Sequence, residues 1–172
     1  MRSLTLGSAC LVWVLAACGG SPAGSETVIA NAPPPDDPSA LLDWLDGGGH
    51  SEWRSTQVFP TGDFGGAKIF FNDALEDSYA EARDAHPVGS AAVRELYEDD
   101  LTSLRGYGLI RKTRDGASDP SAWFWYEAFD TPTGWSPLVA EHAAPGCTGC
   151  HAEGRDFVQS HWPLGSVPPG PS

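Results

Sequence analysis

The 172-residue sequence predicts an α+β fold: a mostly antiparallel β-sheet with a few flanking helices and a short helical turn near the C-terminus. The stretch "AWFWYEAF" (122–129) is the strongest strand signal, with Trp123, Trp125, Glu127 and Phe129 alternating against Phe124, Tyr126 and Ala128. Both alternating sets carry aromatics, so both faces of this strand are expected to be covered. Three further strand-like runs, "AKIFFN", "AAVRELY" and "GYGLIRKT", lie between turns, a loop and one helical segment. Only two longer stretches have the cap and apolar spacing of helices.

In chain order, the opening "MRSLTLGSACLVWVLAACGGS" has one positive residue, Arg2, then an apolar run over 9–17 too short to span a bilayer as a helix. This is the form of a secretory signal over residues 1–17. Its "LAAC" end resembles the lipobox of bacterial lipoproteins, which makes Cys18 the expected acylated N-terminus. Acyl burial at roughly 0.8 kcal/mol per methylene anchors such a chain to a membrane, facing the periplasm or cell exterior. Residues 18–38 read as the lipidated cysteine and a flexible Gly/Pro/Ser/Ala linker, 39–164 as one domain, and 165–172 as a disordered tail.

Within the domain, "DDPSALLDWLDGGG" predicts a helix capped by Asp37, with Pro38 in its first turn and an apolar face of Leu41, Leu42 and Leu45. Glycines 47–49 stop it. After "AKIFFN", Asn72 or Asp73 caps a second helix, "ALEDSYAEARDA". "HPVGS" is a turn before "AAVRELY", "RDGASDPS" is a loop after "GYGLIRKT", and "AWFWYEAF" follows.

The chain carries 10 basic and 23 acidic side chains, net −13; without Arg2 it carries 9 against 23, net −14. Nucleic acid needs a basic face, so it is excluded as a partner. Acidic surface steers a basic redox partner protein.

"PGCTGCHAEGRDF" (145–157) carries the chemistry. With Cys10 removed and Cys18 acylated, Cys147 and Cys150 are the remaining cysteines. A redox-active disulfide of thioredoxin type sits early in a β-α-β pattern, which does not precede this pair. Structural zinc commonly needs a second pair, and there is none. C-x-x-C-H then reads as covalent attachment of one haem c, the two thiols adding across the porphyrin vinyl groups and His151 ligating the iron. The one methionine, Met1, leaves with the signal, so methionine ligation is not open to the mature chain. A bis-histidine carrier would need His50, His86, His142 or His161. His142 and His161 lie close to His151 in sequence, while His86 and His50 read as surface or turn residues. The expectation is an open distal face.

The order of "HPVGSAAVREL", "WFWYEAF" and "CTGCHAEGRDFV" resembles the cytochrome P-460 family, including its cytochrome c′-beta relatives, over roughly residues 50–162. The resemblance implies an antiparallel β fold, a five-coordinate haem c and a homodimer. It implies either an oxidoreductase acting on hydroxylamine or nitric oxide, or a protein that binds nitric oxide and similar small ligands. The family's cross-linking lysine aligns with Arg94, which is too poor a nucleophile to replace it. Lys68 and Lys112 do not match the motif, and "GYGLIRKT" lacks the family's distal glutamate. The expected haem contacts are therefore Cys147, Cys150, His151, Arg94 and Trp125, with Glu127 and Glu95 as candidate proton acceptors. Arg94 would pair with a propionate or polarise a ligand.

Overall fold

The structure, a computed structural model, describes residues 33–61, 65–131 and 134–159. The elements run α1 (Pro38–Asp46), β1 (Arg54–Ser55), β2 (Phe59–Pro60), β3 (Gly66–Phe71), α2 (Asp73–Ala80), β4 (Ala91–Tyr97), β5 (Leu104–Lys112), β6 (Trp123–Thr131), β7 (Gly134–His142) and α3 (Pro145–His151). A 3-10 turn, Pro120–Ala122, leads into β6. The seven strands form one antiparallel sheet in the order β1-β3-β4-β5-β6-β7, with β2 also on β3. The α+β architecture is as the sequence predicts.

Local chemistry accounts for the elements. The Asp37 carboxylate accepts from Ser39 N at 3.0 Å and Ala40 N at 2.9 Å, a cap contributing about 1 kcal/mol. Leu41 and Leu45 are fully buried, and Gly48 takes the left-handed backbone (φ 72°) beyond the helix end. Asn72 caps α2 by accepting from Leu75 N, and also accepts from Ala91 N at 2.9 Å, which ties α2 to the start of β4. The second helix was expected to reach residue 85 but ends at Ala80. Ala82 turns left-handed (φ 52°), and Arg83 N donates back to Ser78 O at 3.0 Å.

β7 was not expected. Its Pro137 lacks a ladder donor and suits an edge strand, which is where β7 lies. The ladder shifts register there, between Glu127 and Ala128 of β6. At the other end, Pro34 is buried and its carbonyl accepts from Arg111, which also pairs with Asp36. The last residues of the segment read as linker thus lie against β5. No helix among the described residues is long and apolar enough to cross a membrane.

The sheet separates two cores. Phe70, Val93, Leu109, Phe124 and Tyr126 point to one face and pack with Leu41, Leu45 and Trp53. Phe71, Ala92, Ile110, Trp123 and Trp125 point to the other and pack with Leu75, Tyr79, Ala144, Phe157 and Val158. Both faces of β6 are covered, as its aromatic alternation predicts.

Candidate functional site

Strand register builds the site floor. Ile69, Arg94, Gly108, Glu127 and Val139 form one row across β3 to β7, on the face that carries Trp125. Phe71, Ala92, Ile110, Trp125 and Glu141 form the next row. From Phe71 to Trp125 that second row is buried, whereas every member of the first is half-buried. Above them stands α3. Between them lies a cleft of about 160 Å³ that Arg94, Gly108, Trp125, Glu127, Cys147 and His151 all line.

This brings together Cys147, His151, Arg94 and Trp125 of the sequence-derived set. The Trp125 and His151 rings meet edge to face, 4.7 Å between centroids. Cys147 is half-buried and Cys150 exposed, and no disulfide joins them. Burial, then the nearby Glu127 and Glu141, pushes the Cys147 thiol pKa up. Cys18 and His161 lie outside the described residues.

α3 is an unusual helix. It has seven residues, no side-chain N-cap bond and no buried residue. It is held by Cys147 packed against the core, by the His151 ring on Trp125 and by bonds to the turn that follows: His151 Nδ1 lies 2.9 Å from Phe157 O, and Gln159 donates to Cys150 O. A carbonyl only accepts, so Nδ1 carries the proton and Nε2 carries the lone pair. Burial lowers the His151 pKa, which favours the neutral ring a metal requires.

Arg94 and Glu127 face each other across Gly108, with no hydrogen bond or ion pair for either among the described residues. Burial depresses Arg94 and raises Glu127, and each charge opposes the shift of the other. Glu127 was one of two candidate proton acceptors, and it lies in the cleft. Glu95 does not: it accepts from His50 Nε2 at 3.0 Å and from the Tyr97 hydroxyl, on the opposite face.

His50 and His86 lie in turn and loop segments, as expected, but both are buried and neither is at the surface. His50 is 1% exposed and packs edge to face on Phe70, 4.6 Å between centroids. His86 is 2% exposed and engages both ring nitrogens, Nδ1 with Ser78 Oγ at 2.9 Å and Nε2 with Arg155 O at 3.1 Å. His142 Nε2 meets Thr113 Oγ1 at 3.0 Å. Among the described residues His151 is the one histidine lining the cleft. Neither lysine reaches it: Lys112 is buried against Asp156, and Lys68 lies over Phe70.

The donor set suits a haem. The Cys147 thiol and the His151 imidazole share the cleft, Cys150 is exposed on the same helix, and the buried Trp125 Nε1 has no hydrogen-bond partner among the described residues. A Cβ built on Gly108 meets nothing closer than Arg94 Cβ at 3.8 Å, so the glycine leaves the floor flat. At about 160 Å³ the cleft is smaller than the roughly 300–1,000 Å³ of typical ligand pockets, so it would hold only part of a porphyrin. No group of three or more His, Cys, Asp or Glu side chains among the described residues is set to hold a metal ion by itself. No protein-family model matches the chain, and no curated protein matches it.

Proposed function

We propose that this chain is an exported, lipid-anchored c-type cytochrome of the cytochrome P-460 type that binds small ligands such as nitric oxide, transfers electrons, or does both. Cys147 and Cys150 would form the thioethers and His151 would hold the iron on one side. The haem, when bound, supplies an iron with an open position for a diatomic ligand and a change of oxidation state. The observation that carries the proposal is the His151 ring: Nδ1 is committed to Phe157 O, Nε2 keeps its lone pair, and the ring shares a cleft with Cys147. Arg94 in the same cleft offers a cation for a propionate or a polar ligand. Anchoring through Cys18, the redox partner protein and a homodimer belong to the same proposal and rest on sequence.

A second reading, an oxidoreductase acting on hydroxylamine or nitric oxide, draws support from Glu127, a carboxylate in the cleft with a raised pKa. No described lysine lines the cleft, which speaks against the family's cross-link. The bis-histidine carrier has no second histidine there among the described residues.

The test is to express the chain in a host that matures c-type cytochromes and record mass and spectra. A covalent haem, high-spin when ferric and binding nitric oxide, is expected. Loss of covalent haem in Cys147→Ser/Cys150→Ser completes the assignment. A low-spin spectrum indifferent to nitric oxide would sink the open-face reading in favour of the carrier. A strongly red-shifted ferrous Soret band would favour the cross-linked enzyme.

A further inference from the structure

The stretch "RDFV" (155–158) makes a tight reversal. Arg155 and Val158 form an antiparallel bridge, and Val158 N donates to Arg155 O at 2.9 Å. Its two central residues, Asp156 (φ 46°) and Phe157 (φ 68°), are both left-handed. Such a turn normally takes Asn-Gly, and a bulky aromatic there is strained. Gly154 permits the approach, since a Cβ on it would lie 2.6 Å from the Val158 backbone.

The strain is held from below. The Asp156 carboxylate is buried and accepts from Lys112 Nζ, from His86 N at 2.9 Å and from Ser118 N at 3.0 Å. Trp123 Nε1 lies 3.5 Å from it. The side chains of Lys112 and Asp156 are 1% and 0% exposed, so this ion pair carries a full desolvation cost. Around the turn, Arg155 O accepts from His86, Val158 O accepts from Tyr79, and Phe157 O accepts from His151 Nδ1. A strained turn and a costly buried pair thus meet at the one carbonyl that fixes the His151 ring.

We propose that Asp156, through its ion pair with Lys112, is a positioning residue: it holds Phe157 O against His151 Nδ1 and so sets the orientation and tautomer of His151. The tautomer claim concerns the polypeptide alone; its meaning for an iron ligand rests on the haem reading above.

The test compares the wild type with Asp156→Asn, which keeps the turn's tolerance of a left-handed residue and removes the charge. The double variant Lys112→Gln/Asp156→Asn removes both charges and leaves no lone buried ion if the single variant fails to fold. Leu41→Ala, on the opposite face, controls for lost stability. In the chain without haem, nitrogen NMR of the His151 ring is expected to read one Nδ1–H tautomer in the wild type and in the control, and a mixture in the charge-removing variants. In the haem-loaded chain, these variants are expected to lower the iron–histidine stretching frequency and shift the reduction potential positive, while the control does neither. Unchanged His151 signals in a charge-removing variant that loses as much stability as the control would overturn the proposal. A chain that takes up no haem but whose tautomer still responds would remove the haem reading and leave the positioning role standing.

Discussion

The two faces of the sheet come from the same strands and finish differently. Under α1, a nine-residue helix with a bonded N-cap and two fully buried leucines closes the face. Under α3, a seven-residue helix with no cap bond and no buried residue leaves the row from Ile69 to Val139 half-covered. Neighbouring positions along one strand therefore meet different fates: Phe70 is 3% exposed within a core, while Ile69 lines a cleft. The quality of the covering helix, more than the composition of the strands, separates core from site.

Two truncations test that contrast most strongly. Leu41→Ala should cost about 2–5 kcal/mol, because a fully buried leucine leaves a cavity. Ile69→Ala should cost about 1 kcal/mol, since its side chain is only part-buried. Denaturant melts of both variants measure the difference, and equal losses would erase the distinction between the faces.

The next test is pH. His86 lies at the covered end of the α3 face. Burial lowers its pKa from 6.5 to about 4, against the raising effects of Asp156 and the Arg155 carbonyl, with Lys112 and Arg155 lowering it further. The unfolded chain therefore binds more protons between those values. The stabilisation is complete above pH 6.5 and is lost as pH falls towards about 4, roughly 3 kcal/mol in total. His86→Gln should remove this slope in melts across the window. A slope that survives would mean the ring is not the group being charged.

The smallest effect on stability is expected at Gly108. Gly108→Ala should stabilise the sheet by about 0.5–1 kcal/mol, because a strand glycine is costly and a Cβ there meets no close atom. The same methyl rises into the proposed haem seat, so haem retention or nitric oxide binding should weaken. A variant that is more stable and binds as before would show that the floor need not be flat.

Much of this was legible in the sequence. Asp37 and Asn72 announce their helices, alternation marks β4, β5 and β6, and C-x-x-C-H marks α3. β1 and β2, two residues each, carry no periodicity, and Pro137 masks β7. His50 and His86 are turn and loop residues whose burial is hidden in the sequence, because it depends on Glu95, Ser78 and Arg155, partners that only the fold assembles. The cleft position of Glu127 could have been read from its alternation with Trp125. Its opposition to Arg94 across Gly108 could not, because strand register is not written locally.

The thin seating of α3 bears on how its thiols are reached. No residue of α3 is buried, Cys147 is half-buried and Cys150 exposed, so a reagent reaches both thiols without opening either core of the sheet. On the proposed haem reading, attachment at Cys147 and Cys150 would then leave the two cores of the sheet closed.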